Sequence, residues 1–166
     1  MENLITLPTN YASFGRRLVA FIIDGILVGV AQSFVVLPIL GFAGVSVAAG
    51  VSPDDLENMT DSEKLAMLGA MSGAFGVAQL INLLIGGAYF ILMESSVRQA
   101  TVGKLAVGII VTDLNGGRIT VVAALLRYVG RFVSALVLMI GYIMAAFTEK
   151  KQGLHDIIAS TLVLKP

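Results

Sequence analysis

The chain contains no cysteine and few charged residues. Without cysteine it can form no disulfide, thiolate metal site or cysteine nucleophile, although this leaves the redox compartment open. Charged residues make up 13% of the 166 positions, against about 25% in a typical soluble domain. Eleven Lys and Arg balance eleven Asp and Glu, so no net charge favours nucleic acid as a partner. This composition lies outside the range of ordinary soluble domains.

Long apolar segments take the place of the missing charge. Hydrophobic residues make up 57% of the chain, and the mean hydropathy is +0.90. We expect transmembrane helices at about 17–40 and 65–93, because each segment can cross a hydrocarbon core of about 30 Å. A cleaved signal peptide has a shorter apolar core, so the first helix is expected to be retained. Pro38 and Gly41 are expected to end it.

Between these helices, residues 41–64 are predicted to form an extracytoplasmic loop. Small residues come first and an acidic stretch follows, and Ser62 could cap the next helix although no acid follows three positions later. After the second helix, branched apolar runs flank Asn115-Gly116. This pattern predicts a small β-hairpin at about 102–121 on the cytoplasmic surface.

A third helical segment is predicted at about 122–147. Its apolar part, residues 132–147, reaches only about 24 Å as a helix. Lys150 and Lys151 follow at once, so a return to the cytoplasm would leave Lys64 as the one base outside. We therefore favour a re-entrant or bent segment, breaking near Gly141, over three full spans. The expected fold is an all-α membrane protein with two to three transmembrane helices and a C-terminal segment at 148–166.

Asp24 is the main candidate for a transport site, because it lies inside the first apolar segment. A charge at bilayer depth costs roughly 2.5–3.5 kcal/mol and needs a partner, a proton or a water-filled cavity. Asp24 is therefore either a proton or cation site or a structural contact. The structural partners to consider are Gln79, Asn82, Arg127 and Arg131. Gln79 and Asn82 share one face of the second helix, and this polar stripe is expected to face protein.

Small residues recur on both long helices. The pairs Gly25 with Gly29 and Gly69 with Gly73 have the GxxxG spacing that lets helices approach closely. Two or three helices can hardly enclose a pathway within one subunit. A transport function therefore predicts a homo-oligomer.

Four residues after the second helix resemble part of a phosphate loop. They are Gln99, Thr101, Gly103 and Lys104. A Walker motif would need glycine in place of Arg98 and Ser or Thr in place of Leu105, so it fails at both positions. We expect a turn, with Lys104 facing lipid phosphate.

Two further pairs of polar residues lie in the last third of the chain. Arg127 and Arg131 are four residues apart and need an anion between them, either anionic lipid or one of Asp24, Glu94 and Asp156. His155 and Asp156 are adjacent, and a contact at a helix start is the simpler interpretation. With one histidine and no recognisable nucleophile, we expect no enzyme activity, no metal and no cofactor.

Four motifs stand together in one order along the chain. They read Arg17-Leu-Val-Ala-Phe-Ile-Ile-Asp24, Arg98-Gln-Ala-Thr-Val-Gly-Lys104, Leu126-Arg-Tyr-Val-Gly-Arg131 and Gly153-Leu-His-Asp156. This combination resembles the RDD family of small integral membrane proteins, which is named for one arginine and two aspartates. The resemblance implies that Arg17 opens the first helix, that Asp24 is the first aspartate and that Asp156 is the second.

The resemblance also implies a function, because members of the family are described as transporters and cation/proton antiport is proposed for some. We expect a small oligomeric transporter that exchanges monovalent cations for protons, in the inner membrane of a prokaryote, with a cytoplasmic N-terminus. The alternative is a non-transporting scaffold that packs against other membrane proteins. For a transporter we expect Asp24 to be the titrating or coordinating group. Independently of transport, we expect Asp156 to pair with Arg17, Arg127 or Arg131.

Overall fold

Two long helices dominate the fold. The structure is a computed structural model that describes residues 10–49, 53–136 and 140–166. Helix α1 spans Phe14–Ala49, the short α2 spans Pro53–Asn58, and α3 spans Asp61–Glu94. The other elements are α4 (Val102–Ala106), β1 (Ile110–Asp113), α5 (Val121–Leu136), α6 (Ile140–Ile143), a 3-10 turn (Met144–Ala146), α7 (Leu154–Ile158) and β2 (Thr161–Leu164). The predicted mainly helical fold with two long apolar helices and a small sheet is confirmed.

Both long helices have the length and composition of membrane spans. The apolar stretch of α1 has a hydropathy of 2.2 and that of α3 has 1.8, and only 17% of each stretch is buried. A core helix of a soluble protein would be mostly buried instead. At 1.5 Å per residue, each helix is about 50 Å long, which exceeds a hydrocarbon core of about 30 Å. Their exposed apolar side chains therefore suit contact with lipid.

The first helix is longer than predicted. Pro38 lies inside α1, which continues past Gly41 to Ala49, so the prediction that these residues end the helix is wrong. Proline removes one hydrogen bond, but apolar helices tolerate this loss where no water competes for the backbone. The predicted loop at 41–64 is therefore largely helical, although residues 50–52 lie outside the described part of the chain.

A capping box starts α3. Thr60 N donates to Glu63 Oε2 over 2.8 Å, and Glu63 N donates to Thr60 Oγ1 over 3.4 Å. The prediction that Ser62 caps this helix is therefore wrong, because the reciprocal pair lies two residues earlier. Thr-x-x-Glu is the sequence pattern of such a box.

The predicted hairpin is wrong in its second strand. Strand β1 pairs antiparallel with β2, so that Val111 lies opposite Val163. Asn115-Gly116 does form a turn, in which Asp113 N donates to Gly117 O over 2.9 Å. The chain then starts a helix, because Thr120 Oγ1 accepts from Ala123 N over 3.1 Å. This cap ends the extended segment, and the C-terminal strand fills the vacant edge of β1.

The third apolar segment folds back on itself. Helix α5 ends at Leu136 and α6 begins at Ile140, while residues 137–139 lie outside the described part. Tyr142 Oη donates to Arg131 O over 3.3 Å, although residues eleven apart in a straight helix are about 16 Å apart. Gly141 packs on Ser134, where a Cβ would lie 2.7 Å from Oγ. The reversal thus begins before the predicted break at Gly141.

The chain forms two compact units. The first unit joins the residues up to 27 with 87–166, and the second unit is 28–86. The first unit contains the sheet and a small apolar core. Its core residues are Ala12, Ala20, Ile109, Val111, Ile119, Ala124 and Val163. Ala12 N donates to Val163 O over 2.8 Å, so the segment before α1 lies beside β2.

The strand pairing can be tested by cross-linking, because the chain has no native cysteine. Val111→Cys with Val163→Cys should form a disulfide under mild oxidation, since opposite antiparallel residues have suitable Cα separations. Val111→Cys with Thr120→Cys is the matched control, because a hairpin around Asn115-Gly116 would place these two residues opposite each other. Cross-linking of the control pair alone, measured by gel mobility, would contradict the observed pairing.

Candidate functional site

Asp24 lies in a buried pocket of hydroxyl groups. The residue is 1% exposed. Tyr89 Oη donates to Oδ1 over 2.7 Å, and Thr101 Oγ1 donates to Oδ2 over 2.5 Å. Gly103 N also donates to Oδ1 over 2.7 Å. Three donors, from α3, the segment before α4, and α4 itself, thus converge on one carboxylate of α1.

Helix α4 approaches α1 closely because residue 103 is glycine. A Cβ at this position would lie 2.8 Å from Asp24 Cγ, and closer still to the backbone oxygen of Ala20. Val102 N donates to Tyr89 Oη over 3.0 Å, so the phenol accepts one hydrogen bond while it donates another. Any side chain at 103 would push α4 away and remove the donors from the carboxylate.

The other residues of this turn have structural roles. Gln99 has φ +52°, and its Nε2 donates to Val111 O over 3.1 Å and to Gly117 O over 3.2 Å. Lys104 is only 9% exposed, and its Nζ pairs with Glu94 Oε1 over 2.5 Å. The prediction that Lys104 faces lipid phosphate is therefore wrong, because a buried carboxylate takes that place.

A second cluster of charges surrounds Arg127, which is 1% exposed. Its Nε donates to Glu94 Oε2 over 2.9 Å, and its Nη1 contacts both Asp156 Oδ1 and Thr161 Oγ1. Arg131 pairs with the other oxygen of Glu94, at Oε1. We call Arg17, Glu94, Lys104, Arg127, Arg131 and Asp156 the ionic cluster.

Asp156 links the C-terminal segment to the start of α1. Its Oδ2 accepts from Arg17 Nη1 and, over 3.0 Å, from Gly153 N. Burial alone would raise the pKa of this carboxyl, but the guanidiniums of Arg127 and Arg17 outweigh burial and hold the pKa well below its usual range. Asp156 is therefore an anion at neutral pH.

His155 lies beside this carboxylate as a neutral ring. Burial lowers its pKa to about 3, which the neighbouring Asp156 does not offset. Its Nε2 lies 3.4 Å from Asp156 Oδ1, so this contact is a polar contact and not an ion pair at neutral pH. Burial likewise lowers the pKa of Lys104 to about 8, against the attraction of Glu94. Lys104 thus remains mostly charged at pH 7.

The amides of α3 belong to the second unit, whereas Asp24 belongs to the first. Asn82 Nδ2 donates to Gln79 Oε1 over 3.1 Å, which joins the two amides of the predicted stripe. Gln32 Nε2 donates to Asn82 O over 2.8 Å. The buried Oδ1 of Asn82 has no hydrogen-bond partner among the residues that the structure describes.

The glycines of the two GxxxG pairs are not the glycines at the close helix contacts of the described structure. A Cβ at Gly25, Gly29, Gly69 or Gly73 would meet no neighbouring atom of the described residues within 4 Å. In contrast, a Cβ at Gly130 would lie 3.0 Å from His155 Cα. Within the described ranges, the close helix contacts therefore involve glycines such as Gly103, Gly130 and Gly141, not the GxxxG pairs.

Sequence reasoning missed Tyr89 as a partner of Asp24. It considered Glu94 only as one of several anions for the two arginines of α5. Nothing local distinguishes Tyr89 among the other apolar residues of α3, whereas Glu94 could have been recognised as the acid that ends this segment. In the parts that the structure describes, no group of three His, Asp or Glu residues could hold a metal ion.

Comparison with known proteins places these residues in a family. Residues 11–160 match the RDD family. The chain belongs to the RDD family. It is 38% identical over 153 residues to the uncharacterized protein YxaI of Bacillus subtilis, covering 92% of this chain and 96% of that protein. It is 27% identical over 156 residues to the uncharacterized membrane protein YteJ of the same organism. This match covers 93% of this chain and 80% of YteJ.

No solved structure matches the chain. The match to the RDD family, the two long apolar helices and a relative named as a membrane protein together support a membrane protein with transmembrane helices.

The ionic cluster generates a prediction about stability. Asp156→Ala leaves the buried Arg127 with Glu94 as its remaining carboxylate and removes the carboxylate that pairs with Arg17. Breaking a buried pair typically costs about 3–5 kcal/mol. Glu149→Ala, at an exposed acid of the same region, should change stability by about 0.5 kcal/mol or less. The unfolding midpoint in mild detergent measures the stability of both alanine variants. Exchanging Arg17 and Asp156 should not restore stability, because the new arginine would face Arg127. Equal small effects of the two alanine variants would show that Asp156 is merely solvated.

Proposed function

We propose that this RDD protein is a small oligomeric transporter that exchanges a monovalent cation for protons at Asp24. The observation that carries this proposal is the absence of a basic partner. In the described residues, the ion pairs of the first unit involve Glu94 and Asp156, and none reaches Asp24. The hydrogen-bond donors that the described residues offer this carboxylate are all neutral.

A buried carboxylate without a counterion is unstable unless a proton or a cation neutralises it. Hydrogen bonds from Tyr89, Thr101 and Gly103 stabilise the anion but leave its charge uncompensated. Hydroxyl groups can rotate, so Thr101 Oγ1 can accept a hydrogen bond once Asp24 carries a proton. The same oxygens, with the carbonyl of Ala20 nearby, resemble the side-chain and backbone oxygens that hold Na⁺ or H⁺ in transporters. One carboxylate could thus bind either ion in turn.

The second unit has candidate ion-binding groups of its own. Gln79 and Asn82 lie in the apolar middle part of α3, and no donor among the described residues reaches the buried Asn82 Oδ1. We propose them as further sites along the route of the ion. The unoccupied surfaces at the two GxxxG pairs would pack between subunits, because two apolar helices per chain cannot enclose a pathway.

The proposed location is the inner membrane of a prokaryote, with the N-terminus in the cytoplasm. Lys165 N donates to Asn10 O over 2.9 Å, so the C-terminal segment lies beside the segment that precedes α1. Gln152 Nε2 donates to Thr161 O over 2.8 Å, which ties the residues after α6 to the same sheet. These contacts support a third segment that returns to its starting side. The positive-inside rule favours the cytoplasm for that side.

Labelling with an impermeant thiol reagent tests this topology. A single cysteine at Lys150 should be labelled from the cytoplasmic side only, and a cysteine at Glu57 from the opposite side only. Both positions are exposed, so access is not limited by burial. Efficient labelling of position 150 from outside would contradict the returning segment and favour three full spans.

The transport proposal predicts that two substitutions at Asp24 both lower flux but differ in their effect on stability. Asp24→Asn should keep the protein folded, because the amide can still accept from Tyr89 and Gly103, but proton-coupled flux should fall at least about tenfold, a difference of about 1.4 kcal/mol. Asp24→Leu should also lower the unfolding midpoint, because it leaves three donors unpaired. Flux of Na⁺, K⁺ and Li⁺ into proteoliposomes under a proton gradient is the measurement.

Glu149→Gln is the matched control for these variants, since it removes one exposed carboxylate. Its flux should equal that of the unmodified protein. Transport at the unmodified rate by both Asp24 variants would show that Asp24 is not the coupling site.

A non-transporting scaffold is the second candidate. It is favoured by one observation, namely that Asp24 joins α1 to α3 and α4 through three hydrogen bonds. In that case Asp24 would serve packing, and the GxxxG faces would bind other membrane proteins. The absence of flux for every tested cation, together with a loss of stability in Asp24→Leu, would favour the scaffold.

A further inference from the structure

A cavity lies beside the ionic cluster in the first unit. Its volume is about 220 Å³. The lining residues are Phe14, Arg17, Leu18, Phe21, Phe90, Lys104, Arg127, Arg131, Tyr142, Ile143, Ala145, His155 and Val163. Four of these side chains are basic and none is acidic, whereas most of the others are apolar. The cavity thus combines a cationic wall with an apolar one.

The charges around the cavity do not cancel. Arg17, Lys104, Arg127 and Arg131 contribute four positive charges, and their partners Glu94 and Asp156 contribute two negative charges. The surplus is two positive charges, because His155 is neutral, and it is still one when Asp24 is included. Several like charges in a poorly solvated site are stable only with an additional anion.

Unused hydrogen-bond donors lie in the same place. Nε and Nη2 of Arg17 are buried and find no partner in the described part of the chain, although Nη1 binds Asp156. A buried N–H group without an acceptor is costly, and for a charged group more so. Arg131 stacks on Phe90, with Cζ 4.2 Å from the ring centroid, which fixes a second guanidinium at the apolar wall. An oxyanion with several acceptor oxygens would satisfy these donors.

The apolar side of the cavity is open on a surface that suits lipid. Leu18, Phe21 and Ile143 line the cavity, yet they are 45%, 52% and 46% exposed. Leu18 and Phe21 belong to the apolar stretch of α1. The volume is below the ~300–1,000 Å³ of pockets that enclose drug-sized ligands. The cavity therefore has room for a head group and the start of a chain, with the rest of the molecule outside.

We propose that this cavity binds an anionic phospholipid of the bilayer, with the phosphate between Arg17 and Arg131 and the acyl chains along the exposed face of α1. The charge surplus and the unused donors select a phosphate oxyanion, while the apolar opening selects a lipid over a free anion. The site is distinct from the Asp24 pocket and does not depend on the transport proposal.

Two pairs of variants test the site without removing any member of the ionic cluster. Leu18→Glu places a competing carboxylate in the cavity, whereas Val19→Glu places one at the next residue, which is 47% exposed and does not line the cavity. Ala145→Leu fills the cavity without a change of charge. Ala146→Leu is its control, at a neighbouring exposed position outside the lining.

The measurement is the unfolding midpoint of the purified chain in mild detergent, with bound lipid counted by native mass spectrometry. Phosphatidylglycerol at about a hundredfold excess over Kd should raise the midpoint by roughly 5–10 °C and leave one lipid bound per chain. Phosphatidylcholine and inorganic phosphate at equal concentration should not raise the midpoint. Leu18→Glu and Ala145→Leu should lose at least half of this rise, while Val19→Glu and Ala146→Leu keep it.

Three results would overturn the proposal. An equal rise with phosphatidylcholine would indicate lipid bound without regard to charge. An equal rise with inorganic phosphate would indicate a site for free anions. A full response of both Leu18→Glu and Ala145→Leu to phosphatidylglycerol would show that the lipid binds elsewhere.

Discussion

The burial of Arg127 is the constraint on which the first unit depends. A guanidinium cannot be deprotonated in a protein, so removing it from water costs several kcal/mol unless carboxylates surround it. Glu94 at the end of α3 and Asp156 in α7 supply those carboxylates, and Thr161 in β2 supplies a further oxygen. Parts of the chain that lie far apart in sequence must therefore assemble together. Removal of either carboxylate would leave the buried guanidinium with only one counterion.

The contrast between Asp24 and the two clustered carboxylates has a functional meaning. Glu94 and Asp156 are each paired with more than one base, so their charges are balanced within the first unit. Asp24 is equally buried but is held by hydroxyl groups and a backbone N–H. Among these three acids of the first unit, Asp24 is the one that no base of the described residues contacts, which is why the transport proposal centres on it.

Properties that depend on neighbouring residues could be predicted from the sequence, and properties that depend on distant contacts could not. Hydropathy is sufficient to locate the long helices. The spacing of Thr60 and Glu63 is a local pattern that also predicts the capping box at the start of α3. The turn at Asn115-Gly116 was predicted correctly. The prediction of a second strand after it was wrong, because Thr120 starts a helix. Tyr89 and the strand partner of Val111 come from 65 and 52 positions away, where no local pattern selects one residue over another.

Helix α4 connects the two buried sites through consecutive residues. Gly103 N donates to Asp24, while the next residue, Lys104, pairs with Glu94 of the ionic cluster. A helix of five residues with a glycine in tight contact with α1 cannot move at one of these positions without moving at the other. If a cation is to reach the carboxylate of Asp24, α4 must withdraw, and the Lys104 pair must loosen at the same time. Because burial has already lowered the pKa of Lys104 to about 8, this base is the member of the cluster that loses its charge most readily. An exchange of ions at Asp24 would therefore first disturb the ion pair between Lys104 and Glu94. The pair between Glu94 and Arg127 would be affected next.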